Sequence, residues 1–147
     1  APAGRERDVV IVAEPLTARV RGDRRALARL FRNVIENAVR FSPPAAKVRV
    51  DGRVDGDAVV VTVTDEGPGI AETDAERIFE PFARGSRDRD RDGGTGLGLS
   101  IARGIARSLG GDVVAEPRRG GRFVITLPVF DAERNGVGSS HVPGFLG

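Results

Sequence analysis

Residues 23–42 carry the most regular hydrophobic pattern in the chain, and this pattern constrains the fold more than any other feature. Apolar side chains recur there three and four residues apart, which is the period of one face of an α-helix. The apolar positions are Leu27, Leu30, Phe31, Val34, Ile35, Ala38 and Phe41. Asp23 precedes them as a helix N-cap, and Ser42-Pro43-Pro44 ends the pattern because a residue before proline disfavours helical backbone. The sequence therefore predicts one long amphipathic helix.

Shorter patterns predict the remaining elements. Before residue 65 we expect a buried strand over residues 9–13 with residues 18–21 as its partner, and a β-hairpin of residues 47–54 and 58–64. Beyond it we expect a short helix near residues 74–79, a second helix over 97–109 with a left-handed cap at Gly110-Gly111, and a closing hairpin of 112–116 and 122–128. Residues 83–94 are polar, carry charges of both signs and end in glycine, which is typical of a mobile segment.

Composition excludes several classes of protein. A chain of 147 residues is about one domain long, and no apolar run approaches the ~20 residues of a membrane span. The lack of cysteine excludes disulfide scaffolds and thiolate metal sites, and a single histidine excludes multi-histidine metal centres. A formal net charge of +2 is too even for a nucleic-acid surface, and the lack of Tyr and Trp argues against base stacking. Because no methionine is present, even at position 1, we expect a piece of a longer protein.

A polar stripe runs beside the apolar face of the first helix. At 100° per residue, Asn33, Asn37 and Arg40 lie within about 60° of one another. Asparagine is a mediocre helix former, so two of them four residues apart need a reason. One interpretation is a solvated face. The other is a ligand site, since a carboxamide oxygen can coordinate Mg²⁺ and an arginine can contact phosphate.

The DEGPGI sequence at residues 65–70 predicts a turn at the end of an alternating strand. Gly67 and Gly69 permit tight turning and close approach of a ligand to the backbone. The carboxylate of Asp65 could accept a hydrogen bond from an exocyclic amine such as that of adenine. An ordinary Asp/Gly/Pro turn would show the same short motif, so this motif alone leaves both interpretations open.

Glycine is concentrated in residues 93–100, GGTGLGLS, just where the second helix begins. Backbone amides at a helix N-terminus without obstructing side chains suit phosphate binding, whereas a hinge is the alternative. The segment is not a Walker loop, because no Gly-Lys-Ser/Thr follows. It is not the dinucleotide fingerprint either, which needs glycine or alanine at position 99, where this chain has Leu99.

These motifs are more specific together than apart. In chain order they read N-x-x-x-N-A-x-R-F-S (33–42), D-x-G-x-G (65–69), F-E-P-F-A-R (79–84) and G-T-G-L-G-L (94–99). This arrangement resembles the catalytic and ATP-binding domain of bacterial sensor histidine kinases, within the gyrase, Hsp90, histidine kinase and MutL superfamily. The resemblance covers about residues 9–129.

The resemblance implies a fold and a domain organisation. The fold would be α+β, a two-layer α/β sandwich of the Bergerat type, in which helices cover one face of a mixed, mostly antiparallel sheet. Residues 9–130 would form the kinase domain. Residues 1–8 would be the end of a linker from a lost dimerisation domain, and residues 131–147 a flexible tail.

The resemblance also implies a site for ATP and Mg²⁺ between the helices, under a lid of roughly residues 80–96. Asn37 would be the Mg²⁺ ligand, Asn33 would support the phosphate end as a catalytic residue, and Arg40 would contact phosphate. Asp65 would bind the adenine amine. Arg84 would be a catalytic contact to the γ-phosphate. The remaining ATP-binding positions would be Phe41, Gly67, Gly69, Ile70, Phe82, Gly94, Thr95, Gly96, Leu97, Gly98 and Leu99.

The implied reaction is transfer of the γ-phosphoryl group to a histidine on a separate dimerisation domain, with a response regulator downstream. The only histidine, His141, is followed by Val142 and Pro143 rather than by the acidic residue of family acceptors, so we expect a tail histidine and little autophosphorylation. The resemblance further implies a monomeric fragment, and a homodimeric parent in the bacterial inner membrane that carries this domain in the cytoplasm. Nucleic acid is not an expected partner.

Three alternatives stay open. An ATPase of the gyrase or Hsp90 type and an anti-sigma serine kinase both carry a glutamate base where this chain has Asn33, and an amide cannot take a proton at neutral pH. Glu36 lies about 60° round the helix from Asn33 and should point away from the site. The third alternative is a nucleotide-regulated binding module without enzymatic activity.

Overall fold

The computed structural model describes residues 10–13, 18–81, 97–129 and 140–141. Within them a five-stranded sheet has the order β1-β3-β4-β6-β5. Its strands are β1 (Val10–Ala13), β3 (Lys47–Asp55), β4 (Ala58–Thr64), β5 (Asp112–Glu116) and β6 (Arg122–Pro128). β1 pairs with β3 in parallel, and the other neighbours pair antiparallel. The expected mixed, mostly antiparallel sheet is therefore confirmed.

The long amphipathic pattern forms helix α1 (Arg24–Phe41). Its N-cap is Asp23, whose side chain accepts a hydrogen bond from the Arg25 amide at 3.4 Å. At the other end Ser42 leaves the helical conformation, and its hydroxyl donates back to the Ala38 carbonyl at 2.9 Å. Both predicted ends are thus confirmed, and the apolar stripe is the face that the helix buries.

The second predicted helix is α2 (Gly98–Ser108), and its end shows why two glycines follow it. Gly110 has φ +89°, a left-handed conformation that glycine adopts without steric cost. The Gly110 amide donates to the Arg107 carbonyl at 3.1 Å and the Gly111 amide to the Ala106 carbonyl at 2.8 Å, which is a Schellman motif. The predicted left-handed cap is confirmed.

Both helices pack on the same face of the sheet. Alternate residues of the central strands point there, and their cross-strand partners share the face because side-chain direction alternates along a strand. Three such pairs, all buried, are Val59 with Leu127, Val61 with Ile125, and Val63 with Phe123. The opposite face carries half-exposed residues such as Thr62 and Thr126. This is the two-layer α/β sandwich that the resemblance implied.

One prediction about a short strand was wrong. β2 (Arg19–Val20) is not the partner of β1; it pairs antiparallel with β7 (Ser140–His141), which lies within the predicted tail. A parallel partner needs a long crossover, and α1 supplies it between β1 and β3, so nearness in sequence misled the prediction. A two-residue strand is too short to show an alternating pattern, which is why residues 140–141 looked featureless.

The short helix predicted near residues 74–79 consists instead of two separate 3₁₀ helices, Glu72–Asp74 and Arg77–Phe79. So short a segment cannot repay the cost of nucleating an α-helix, and burial of Ile78 and Phe79 holds it in place. The predicted mobile segment, residues 83–94, lies outside the described residues. In the part of the chain that is described, neither helix combines the length and the apolarity that crossing a bilayer requires.

Candidate functional site

Asn33 joins the two helices at one end of the candidate site. Its side-chain nitrogen donates a hydrogen bond to the Gly98 carbonyl, in the first turn of α2, at 3.1 Å. This bond crosses 65 residues of sequence. The structure therefore brings together two residues that the sequence singled out in separate motifs, and it gives the carboxamide of Asn33 a defined direction.

Asn37, one turn further along α1, is buried with 8% of its surface exposed. Its Oδ1 atom has no hydrogen-bond partner among the described residues. An unsatisfied buried acceptor costs about 1–3 kcal/mol, so this oxygen is available to a hydrogen-bond donor or to a cation. A carbonyl oxygen is a donor that Mg²⁺ accepts. The described residues contain no cluster of three His, Cys, Asp or Glu side chains, so a cation beside Asn37 would need oxygen ligands from a bound molecule or water.

Arg40 lies in the last turn of α1, where a positive charge interacts favourably with the helix dipole. Its guanidinium carbon is 4.8 Å from the centroid of the Phe41 ring, a cation–π distance. Phe41 itself is fully buried. The guanidinium of Arg40 therefore lies over the buried Phe41 ring. The Arg40 side chain is half-exposed, so an anion can reach it.

Asp65 follows β4 and is almost completely buried, with 2% of its surface exposed. Its Oδ1 atom accepts hydrogen bonds from the Gly67 amide at 2.8 Å and the Gly121 amide at 2.9 Å. The Asp65 amide in turn donates to the Gly121 carbonyl at 2.8 Å. A carboxylate offers about four acceptor positions, so these two bonds fix its orientation without using its whole capacity.

Gly67 and Gly69 are required by close packing of the backbone around Asp65. A Cβ atom on Gly67 would lie 2.4 Å from the Phe41 carbonyl oxygen, and one on Gly69 would lie 2.1 Å from the Arg118 carbonyl oxygen. Gly69 also has φ +88°. Next to it, buried Ile70 donates its amide to the Arg118 carbonyl at 3.3 Å. The turn is therefore held between the end of α1 and the loop that joins β5 to β6.

The candidate site thus extends along α1 between two ends. Asn33 meets the start of α2 at one end, and the carbonyl of Phe41 meets the Asp65 turn at the other. Eight residues separate them, which is about 12 Å along a helix axis. Leu97, which caps α2, and Leu99, which packs on the core, accompany Gly98 at the first end. The remaining predicted site residues, Phe82, Arg84, Gly94, Thr95 and Gly96, lie outside the described residues.

The residues that complete the turn from a distance were not predicted from the sequence. Gly121 is 56 residues from Asp65, and the Gly120-Gly121 pair signalled only a hairpin connection. Gly120 has φ +72°, and a Cβ atom there would meet the Asp65 carbonyl oxygen at 3.0 Å. No local pattern reveals that this connection donates an amide to the carboxylate that follows β4.

A second cluster that the sequence did not predict surrounds Arg103 in α2. Its guanidinium nitrogens Nη1 and Nη2 bind the two carboxylate oxygens of Glu76 at 3.0 and 2.9 Å, and its Nε binds the Val113 carbonyl at 3.0 Å. Nε also lies 3.2 Å from Oδ1 of Asp112, and the guanidinium carbon is 3.8 Å from the centroid of the Phe79 ring. Glu76 and Phe79 are more than 20 residues from Arg103 in the chain, so no local pattern indicates this cluster.

Charge pairing shifts three pKa values in this second cluster. The hydrogen bond from Arg103 lowers the pKa of Glu76, and the same bond raises the pKa of Arg103. Burial raises the pKa of Asp112, but hydrogen bonds from Arg107 and from the Val113 amide, with the charges of both arginines, leave it below its usual value. All three groups are therefore held in their charged forms.

Comparison with known proteins assigns the family. The sequence model described as "Histidine kinase-, DNA gyrase B-, and HSP90-like ATPase" matches residues 22–131. The sensor protein KdpD of Rathayibacter rathayi is 39% identical over 127 residues, which are 85% of this chain and 15% of KdpD. The chain thus spans a small part of this relative.

Solved structures agree with this assignment. The mycobacterial sensor histidine kinase MprB superposes with a TM-score of 0.77 at 31% identity, over 86% of this chain and 88% of the MprB chain. Full-length ShkA, solved in complex with AMPPNP, superposes with a TM-score of 0.71 at 31% identity, over 87% of this chain and 27% of the ShkA chain. The chain therefore belongs to the histidine kinase-, DNA gyrase B- and HSP90-like ATPase family, as a catalytic domain of the sensor histidine kinase type.

Proposed function

We propose that this domain binds Mg²⁺-ATP and donates the γ-phosphoryl group to a histidine on a separate dimerisation domain. The observation that carries the proposal is the buried carboxylate of Asp65, which two backbone amides orient at the end of a strand. A buried, oriented acceptor suits the exocyclic amine of adenine, because a charged acceptor strengthens that hydrogen bond. The structural relative ShkA was solved in complex with AMPPNP, which supports nucleotide binding as the function of this domain.

The other end of the site suits the phosphate groups. The orphaned Oδ1 of Asn37 fits an Mg²⁺ ligand, and Arg40 supplies a positive charge three residues further on. When bound, Mg²⁺ would neutralise phosphate charge and help align the transferred group. Arg40 would stabilise the charge that develops on the phosphate oxygens as the bond to ADP breaks and the bond from phosphorus to the histidine nitrogen forms.

Transfer is favoured over hydrolysis by the absence of a base at position 33. The nitrogen of Asn33 is already committed to the Gly98 carbonyl, and an amide cannot accept a proton from water at neutral pH. Glu36 is exposed, which is consistent with a side chain that points away from the site. The proposed parent is a homodimeric sensor in a bacterial inner membrane that carries this domain in the cytoplasm and phosphorylates a response regulator, in line with the sensor proteins it resembles.

Substitution Asp65→Asn tests the nucleotide assignment. The two amides would retain the one side-chain oxygen of the variant, which leaves its NH₂ group facing the amine of adenine, donor against donor. We expect ATP affinity, measured by calorimetry with Mg²⁺, to fall about a hundredfold and the preference for ATP over inosine triphosphate to disappear. Asp55→Asn, on the exposed end of the β3–β4 hairpin, is the control and should change neither. Unaltered ATP binding by Asp65→Asn would overturn the assignment.

A transfer assay separates kinase from ATPase. The domain is mixed with γ-labelled ATP and a dimerisation domain of a related sensor kinase, and acid-labile phosphohistidine and free phosphate are both counted. The proposal predicts label on the acceptor histidine and little free phosphate when the acceptor is omitted. Phosphate release at the same rate with and without the acceptor, and no phosphohistidine, would identify an ATPase instead.

A further inference from the structure

The Arg103 cluster joins three parts of the fold through one side chain. Only 10% of the Arg103 side chain is exposed. It binds Glu76 with two parallel hydrogen bonds, lies over the ring of Phe79, and reaches the Val113 carbonyl and Asp112 of β5 through its Nε. Helix α2 is thereby attached to both the 3₁₀ segment and the sheet edge.

Stability alone does not require a buried arginine at position 103. Removing a charge from water is costly, and an apolar side chain of similar size would pack against Phe79 without that cost. What a planar, bidentate guanidinium adds is direction, because its five donors match a fixed set of acceptors. Arg103 therefore defines the position and rotation of α2 more closely than apolar packing would.

The contacts of Arg103 affect the position of the first turn of α2. Gly98, whose carbonyl accepts the Asn33 bond, is five residues from Arg103, about 7.5 Å along the helix. Among the described residues no side chain caps the N-terminus of α2, so the Asn33 bond and the Arg103 contacts hold this short helix from its two sides. A change in the rotation of α2 would displace the Gly98 carbonyl from Asn33, which lies one turn before Asn37 on α1.

We propose that Arg103 is a positioning residue for the phosphate end of the nucleotide site: without touching ATP, it sets where the first turn of α2 lies relative to Asn33 and Asn37. This inference rests on the proposed function. Glu76 has the same role through its bidentate pair with Arg103. The two ends of the site are thus positioned by different contacts, because the Asp65 turn is held by the β5–β6 loop and the end of α1.

The test compares adenosine with Mg²⁺-ATP, since adenosine reaches only the Asp65 end. Arg103→Lys keeps the positive charge but loses the paired donors and the planar group over Phe79. We expect the Kd for adenosine, followed by NMR titration, to stay within about twofold, while the Kd for Mg²⁺-ATP rises about tenfold and phosphoryl transfer slows. Glu76→Gln changes an exposed side chain and should show the same pattern more weakly, even where Arg103→Lys folds poorly.

Arg107→Lys is the matched control, because Arg107 lies one turn further along α2 and pairs with Asp112 without reaching Glu76 or Phe79. It should leave both Kd values unchanged. A merely structural role for Arg103 predicts a lower melting temperature with an unaltered ratio of the two Kd values, or a parallel loss of both, and either result overturns the inference. Unmodified protein that binds neither adenosine nor ATP would instead overturn the proposed function, and this inference with it.

Discussion

Asn37 combines a buried polar atom with the proposed role of an Mg²⁺ ligand. Its buried oxygen has no partner among the described residues, and asparagine is a poorer helix former than alanine. We expect Asn37→Ala to leave the free energy of unfolding unchanged or to raise it by up to about 1 kcal/mol. We also expect it to remove the Mg²⁺ dependence of ATP binding, measured by calorimetry with and without the metal.

Asn33→Ala provides the matched comparison, one turn earlier on the same helix. It removes the bond to the Gly98 carbonyl, so we expect it to lower the free energy of unfolding by about 1 kcal/mol. If Asn37→Ala destabilised the domain equally and ATP binding still required Mg²⁺, then Asn37 would be a structural residue and not a metal ligand.

Ala45 is the only residue other than glycine with positive φ, at +64°, in the described part of the chain. It lies in a turn closed by the hydrogen bond from the Ala46 amide to the Pro43 carbonyl at 3.1 Å. The left-handed conformation costs about 1–2 kcal/mol in a residue with a Cβ atom, and glycine avoids this while losing some entropy on folding. We expect Ala45→Gly to raise the free energy of urea unfolding by about 0.5 kcal/mol, and Ala46→Gly, as control, to lower it.

At the scale of elements, two glycines, one inside α2 and one just after it, have opposite requirements. Gly104 is exposed in the middle of the helix, and a Cβ atom there meets no atom of the described residues within 4 Å. We expect Gly104→Ala to raise the free energy of unfolding by about 1 kcal/mol, because alanine is the better helix former. At Gly111, just past the helix, a Cβ atom would lie 1.8 Å from the Thr126 carbonyl oxygen, so Gly111→Ala should be strongly destabilising. Equal melting temperatures for the two variants would contradict this account.

The sequence predicted the elements whose pattern lies within one short segment of the chain. The closing hairpin, Asp112–Glu116 with Arg122–Pro128, has the predicted bounds because its alternation and its turn residues lie in one short stretch. The pairing of β1 with β3 was not predictable in this way, since the whole of α1 intervenes. Likewise the spacing of Asn33 and Asn37 offered a ligand site as one of two interpretations, whereas the Gly121 amide and the Arg103 cluster depend on contacts between distant segments.

At the scale of the whole molecule, ion pairs between elements make stability depend on pH. Glu76, in the 3₁₀ segment, and Asp112, in β5, both meet arginines of α2, and the pKa of each is lowered in the folded domain. A carboxyl group with a lowered pKa binds its proton less readily when folded than when unfolded. It therefore stabilises the domain fully above its ordinary pKa and ceases to do so as the pH falls through its folded pKa.

We accordingly expect the free energy of urea unfolding to fall once the pH drops below the ordinary values of 4.5 for Glu76 and 3.8 for Asp112. In Arg103→Met the fall should be shallower, because Glu76 loses the hydrogen bond that chiefly lowers its pKa and Asp112 loses one of the two arginine charges that help to lower its own. Arg53→Met, which removes an exposed pair with Asp55 at 3.9 Å, is the control and should follow the unmodified domain. The measurement is the free energy of unfolding of the three proteins, taken from urea curves recorded between about pH 7 and about pH 3. Parallel profiles for the unmodified domain and Arg103→Met would show that the second cluster contributes nothing to acid sensitivity, and that other carboxyl groups govern it.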